Sequence, residues 1–251
     1  MRRRLRIVPA LTLLVCGCGQ VADHRSNVLA ELSLPADYDP LAPLAVDLTL
    51  EGGRCRAAVA GEALDGERLV QRATRTLETS IRFLEAERGS AEALPPAIIR
   101  TAPDLPWRCV AGATYHLQQT GFGRLAFELR TGASVSLDAP LFDGPNAGPR
   151  PVKALVIAAD GSLVFDGVRL IPDSLNDALR AYARARPRAV LAIVPAAQTR
   201  IDTVVALLVR AREAGAELTS SDPMGLGWVA FDEAGDFAQW EALEAYAGEL
   251  K

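Results

Sequence analysis

Apolar side chains recur at Leu69, Ala73, Leu77, Ile81 and Leu84, the spacing that lines one face of an α-helix over residues 68–88. Ahead of it, residues 44–50 and 55–59 flank Glu51-Gly52-Gly53 and predict a strand, a tight turn and a return strand. Behind it, residues 97–100 predict a third strand. A second helix follows with Trp107, Val110, Ala111, Thr114 and Leu117 inward, Gly121 as its stop, and residues 125–129 as a closing strand. The helix between the second and third strands is the crossover that a parallel strand pair requires. The unit therefore reads ββαβαβ.

The same order returns in the second half. Residues 154–158 and 162–165 predict two strands around Asp160-Gly161. Asp166-Gly167 then precedes a helix with Pro172 in its first turn and apolar positions at Ile171, Leu175, Ala178, Leu179 and Tyr182. Residues 190–194 predict a strand, and Ile201, Val204, Val205 and Leu208 line another helix. Gly215 is its expected cap and residues 217–219 its closing strand. Residues 98–121 align without gaps to 192–215, with Ile99/Ile193, Ala102/Ala196, Val110/Val204 and Gly121/Gly215 identical. A second local match sets residues 64–69 (Leu-Asp-Gly-Glu-Arg-Leu) against 165–170 (Phe-Asp-Gly-Val-Arg-Leu). Order and matches together predict an internal duplication.

The expected fold class is thus α/β (α+β), with two tandem ββαβαβ units, each a mixed sheet carrying two helices on one face. The first unit spans 44–137 and the second 152–220. Between them, 138–151 is dense in turn formers (Pro140, Gly144, Pro145, Gly148, Pro149, Pro151) and reads as a linker. Residues 221–251 form an extension with a possible strand at 228–231 and an amphipathic helix bearing Phe237, Trp240, Leu243 and Leu250.

The N-terminus changes the picture. Arg2, Arg3, Arg4 and Arg6 precede an apolar run over 7–17, too short for the roughly 20 residues of a bilayer span but suited to a signal peptide. Val15-Cys16-Gly17-Cys18 resembles a bacterial lipobox, which makes 1–17 a lipoprotein signal peptide and Cys18 the lipidated residue. Gly19, where an Asp would signal inner-membrane retention, points to the outer membrane facing the periplasm. Residues 18–43 then read as a tether, with Pro35, Pro40 and Pro43 and little periodicity. Removing 1–17 takes away those four arginines and no acid, so the formal charge falls from −4 to −8. An acidic body argues against nucleic acid, which needs a basic face. Cys55 and Cys109 either pair in an oxidising compartment or stand as two separately buried thiols.

The chain offers little catalytic chemistry. His24 lies in the tether and His116 in a helix, with no second ligand at metal spacing. No Gly-x-Ser-x-Gly elbow occurs, and Gly121-Phe-Gly123 lacks the third glycine of a dinucleotide fingerprint. Asp104 and Asp202 sit where a carboxylate caps a helix. Asp65-Gly66, Asp160-Gly161 and Asp166-Gly167 read as turns, and Trp107, Trp228 and Trp240 as core anchors. No enzyme activity and no cofactor are expected.

Residues 159–167 (Ala-Asp-Gly-Ser-Leu-Val-Phe-Asp-Gly), the run Val-Leu-Ala-Ile-Val at 190–194, residues 204–215, and Ile-Arg-Thr-Ala-Pro-Asp-Leu-Pro-Trp at 99–107 resemble the periplasmic domain of the ExbD/TolR biopolymer-transport family. The resemblance covers most of both halves and rests on diffuse hydrophobic patterns. It implies dimerisation, partner proteins in the envelope and contact with the cell wall. Family members carry a transmembrane helix with an acidic residue; here a lipid stands in its place, so proton coupling does not carry over. The family's Asp after the third strand is replaced by Ala102 and Ala196.

Together these features predict a non-enzymatic, lipid-anchored envelope scaffold or binding protein. Its expected partners are the membrane through its lipid, and an envelope protein or peptidoglycan. If the module dimerises, its covalent duplicate supplies the pair within one chain, giving a monomer. The alternative is a lipid-anchored small-molecule receptor with a cleft between the units. Labelled palmitate is expected to enter the wild-type chain and not Cys18→Ala; equal labelling of both would refute the anchor.

Overall fold

The computed structural model describes residues 18–35, 37–89, 94–138, 152–185, 190–214 and 250. Among these it is an α+β structure of five α-helices and two mixed sheets. In the first unit β1 (Leu44–Glu51), β2 (Arg54–Val59) and β3 (Glu62–Leu64) lead into α2 (Gly66–Arg88), followed by β4 (Ala97–Thr101), α3 (Trp107–Gln119), β5 (Arg124–Leu129) and β6 (Ser134–Asp138). The sheet order is β3-β2-β1-β4-β5-β6, with β1, β4 and β5 parallel and the other pairs antiparallel. Leu44, Val46 and Leu48 of β1 and Leu125, Phe127 and Leu129 of β5 are buried, while the residues between them are half-buried. That period-2 alternation gives the sheet one face for the helices and one toward solvent.

The second unit contains β7 (Val152–Ile157), β8 (Leu163–Phe165), β9 (Val168–Leu170), a 3-10 turn (Pro172–Ser174), α4 (Leu175–Ala185), β10 (Val190–Pro195) and α5 (Ile201–Glu213). Its sheet order β10-β7-β8-β9 repeats β4-β1-β2-β3. The helices α3 and α5 and the strands before them correspond at the offset of 94 residues read from the sequence. The local match of 64–69 to 165–170 is out of register, however. Val59 pairs with Glu62 and Phe165 with Val168, so β2–β3 corresponds to β8–β9 and Leu64 to Leu170. Both hairpins turn on two residues of positive φ, Ala60-Gly61 (51° and 82°) and Asp166-Gly167 (50° and 79°), the backbone that a two-residue hairpin demands.

Several expectations are corrected. Asp65 is the N-cap of α2 and not a turn residue: its carboxylate accepts from the Arg68 N–H at 2.8 Å. The strands β3, β6 and β9 are too short or too polar to stand out in the pattern. Asp138, placed in the linker, pairs with Arg124 as the end of β6. Ile171, placed on a buried stripe, is 70% exposed because it precedes the 3-10 turn. Ile81 is half-buried, and Ser80 and Phe83 take up the buried face of α2 beside Leu77 and Leu84.

The tether is also more ordered than expected. Residues Cys18–Glu31 form α1, whose Val28 and Leu29 are buried against Phe83 of α2. Arg25 lies 5.7 Å from the Phe83 ring and pairs with Asp39 at 3.0 Å, and the Ser80 hydroxyl donates to the Pro40 carbonyl at 2.5 Å. Burying Val28 and Leu29 contributes about 1.5–3 kcal/mol each before ordering costs. Among the side chains described on α1 the buried stripe is these two neighbours, too short a run for the pattern to disclose.

Residues 1–17, most of the linker (139–151), Gly215, 217–219, 228–231 and the amphipathic helix of the tail apart from Leu250 lie outside the described residues. Leu250 is buried in the main core, and its carbonyl accepts from the Gly66 N–H at 3.0 Å.

Cys55 and Cys109 are joined in a disulfide that ties β2 to the start of α3. Both are fully buried. The chain-entropy model assigns a closed loop of this length, a sequence separation of 54, about 4 kcal/mol. The Cys55→Ala/Cys109→Ala variant is expected to lose about 2–4 kcal/mol in urea denaturation; an unchanged midpoint would contradict the pairing.

Candidate functional site

An α-helix begins with N–H groups that have no acceptor within the helix. In α3 and α5 the residues before the first turn, Pro106 and Arg200, are extended (φ/ψ −67°/142° and −69°/141°), and neither helix has a side-chain cap. The acceptors come from the opposite unit. Trp107 donates its N–H to the Thr199 carbonyl at 2.6 Å, and Arg108 to Ala197 at 3.0 Å. In return Ile201 donates to Leu105 at 2.9 Å, and Asp202 to Pro103 at 3.1 Å. Pro106 faces Arg200 as an antiparallel bridge. The offset of 94 that aligns the sequences relates every member of this set: 107 to 201, 108 to 202, 105 to 199, 103 to 197 and 106 to 200. Donor and acceptor exchange roles across the junction, the signature of a self-complementary two-fold contact.

Asp202 lies in the first turn of α5, as expected of a carboxylate that offsets the helix dipole, whereas Asp104 precedes the first turn of α3, and neither helix has a side-chain cap. Asp202 instead receives the Arg200 guanidinium at 2.5 Å. Burial pushes the Asp202 carboxyl up, but the Arg200 hydrogen bond and charge outweigh it and hold the group below its ordinary value. Trp107, at the first position of α3, is buried as expected of a core anchor.

On the second unit a groove of about 960 Å³ runs between α5 and the β7–β8 turn. Leu163, Leu170, Leu175 and Leu207 line it, with the Asp160–Arg169 pair (3.2 Å) and the Arg200–Asp202 pair among its walls and Arg210 beside them. The Ser162 side chain and N–H, together with Arg169, lower the Asp160 carboxyl. A smaller cleft of about 640 Å³ lies at the junction itself, lined by Pro103, Leu129 and Ala133 from one unit and Val205 and Val209 from the other.

The other residues singled out from the sequence do not converge. Cys18 is the first residue of α1, and its side chain lies outside those described. His24 is exposed on α1, whereas His116 is half-buried on α3 with a ring against the start of α2, where a Cβ on Gly66 would lie 2.6 Å from its Nε2. Among the described residues no cluster of His, Cys, Asp or Glu could hold a metal, and no helix is long and apolar enough to cross a membrane. Sequence reasoning missed Gln118, which is buried one turn from Thr114. Its amide and the Thr114 hydroxyl have no hydrogen-bond partner among the described residues. It also missed Arg169, Arg200 and Arg210, whose arrangement around one groove has no linear motif. No family model, curated protein or solved structure matches the chain.

The Arg200–Asp202 pair has a pH signature. A carboxyl lowered on folding contributes stability above its unfolded value near 3.9, and that stability is lost as pH falls through the folded value. Because the Arg200 side chain is largely exposed and the Asp202 side chain is 33% exposed, the contribution is at most about 1 kcal/mol. Asp202→Asn is therefore expected to be slightly less stable than wild type at pH 7 and equal to it near pH 2. Urea midpoints at the two pH values test this; an equal deficit at both would remove the ion pair as the cause.

Proposed function

We propose that this chain is a lipid-anchored envelope scaffold or binding protein, built as an in-chain pair of ExbD/TolR-like modules without the family's proton-coupling segment. The reciprocal backbone pairing between equivalent residues of the two units carries this reading. A module that associates with its own copy needs a self-complementary surface, and 103–108 against 197–202 is one. Fusing two copies raises the effective concentration of each for the other by orders of magnitude, so pairing within the chain wins over pairing between chains.

The lipid on Cys18 and the helix that follows it suit a holding role. Because α1 docks on α2, the anchor connects to the first unit through a helical segment, and no long flexible tether intervenes. An envelope protein or peptidoglycan is the partner that the lipid address and the family resemblance favour, with the outer membrane, facing the periplasm, as the location.

The mature chain with Cys18→Ser is expected to run as a monomer by light scattering at micromolar concentration. A stable dimer would count against an intramolecular pair. Crosslinking in intact envelopes identifies the partner; recovery of no envelope component would count against the scaffold role.

A further inference from the structure

The two units differ at one equivalent place. In the first, the β1–β2 hairpin continues beyond the Leu48–Ala57 pair to Glu51–Arg54, and the Cys55–Cys109 disulfide fastens it to α3. Arg108 closes the same space, with its guanidinium donating to the Gly53 carbonyl at 2.9 Å. In the second, the β7–β8 hairpin ends its pairing at Ile157–Leu163, which corresponds to Leu48–Ala57. The positions matching Cys55 and Cys109 are Gly161 and Thr203, so no covalent tie crosses. The groove beside α5 occupies the space that the first unit fills.

We propose that this groove, which borders the junction through Arg200 and Asp202, binds a small aliphatic carboxylate. Its leucine lining (Leu163, Leu170, Leu175, Leu207) suits an unbranched hydrocarbon body. Five charged side chains line it. Asp160 neutralises Arg169 and Asp202 neutralises Arg200. Arg210 has no ion-pair partner among the described residues, which leaves one positive charge to complement one negative charge. A volume of about 960 Å³ lies within the range of small-molecule sites, about 300–1,000 Å³. Arg210 presents a planar fork of donors that matches a carboxylate.

The test uses the full mature chain with Cys18→Ser and the fluorescent probe anilinonaphthalene sulfonate, displaced by decanoate or by decanol. Decanoate is expected to displace the probe at lower concentration than decanol. Arg210→Glu should raise the ratio of the decanoate to the decanol concentration needed by about two- to fivefold, the range of an exposed ion pair; the ratio is read because the probe is itself an anion. Ala206→Trp, which places a ring in the groove from an exposed position on α5, should abolish displaceable binding. Thermal melts matching wild type show that both variants fold. An unchanged decanoate-to-decanol ratio in Arg210→Glu overturns the carboxylate assignment. No saturable probe binding by the intact chain, the result expected if residues 215–249 fill the groove, overturns the site altogether. Neither result bears on whether the chain is a monomer or carries a lipid.

Discussion

Two helices in this protein begin without a cap of their own, and each is completed by the other unit's loop. The first turns of α3 and α5 present backbone N–H groups that would be costly to bury unpaired. Leu105, Pro103, Thr199 and Ala197 supply the carbonyls, and Pro106 lies against Arg200 between them. At about 0.5–1.5 kcal/mol per bond the four bonds are a modest sum, but their direction fixes how the units meet. α3, packed also against α2 and its own sheet, is buried along nearly its whole length, with Trp107, Cys109, Val110, Ala111, Ala113 and Leu117 in one core continuous with Ile201, Val204 and Leu208 of α5. One hydrophobic cluster therefore spans both units, and their stabilities are coupled through it.

Within this near-symmetric frame the units differ. The first carries the longer hairpin, the disulfide, the long helix α2 and the docked α1. The second has a shorter hairpin, an 11-residue α4 against the 23 residues of α2, and an open groove. One unit thus carries the covalent tie and the docked N-terminal helix, and the other has space beside its helix. Thr114 and Gln118, buried and without a side-chain hydrogen-bond partner among the described residues, belong to the first unit. Their counterparts at the same offset are Leu208 and Arg212, so the polar pair is not a shared feature of the repeat.

Much of the fold was legible along the chain because helices and alternating strands impose a period on apolar residues. The stripe of α5, that of α2 apart from Ile81, and the strands β4 and β10 fell where the pattern put them. The gapless alignment at an offset of 94 proved to be the operator of the junction. By contrast, the Asp-Gly match at 65–66 and 166–167 paired a helix cap with a hairpin turn. Two residues of turn chemistry serve both purposes, so a dipeptide cannot distinguish them. β3 and β9, at three residues each, are too short for periodicity to register. Among the α1 side chains described, Val28 and Leu29 are the buried ones, adjacent in sequence and too few to set a helical period.

The sequence by itself determined the order of the longer helices and the strands between them, most of their buried faces and the offset of 94, because each depends on side-chain type at a fixed spacing. Only the tertiary structure decided that the two copies face each other, that each caps the other's helix, and that one hairpin stops short and leaves a groove. The physical reason is that these contacts are made by backbone N–H and C=O groups, which every residue in those loops carries alike. A carbonyl at Pro103 and one at Ala197 do the same work with no residue in common, so no side-chain pattern could announce it.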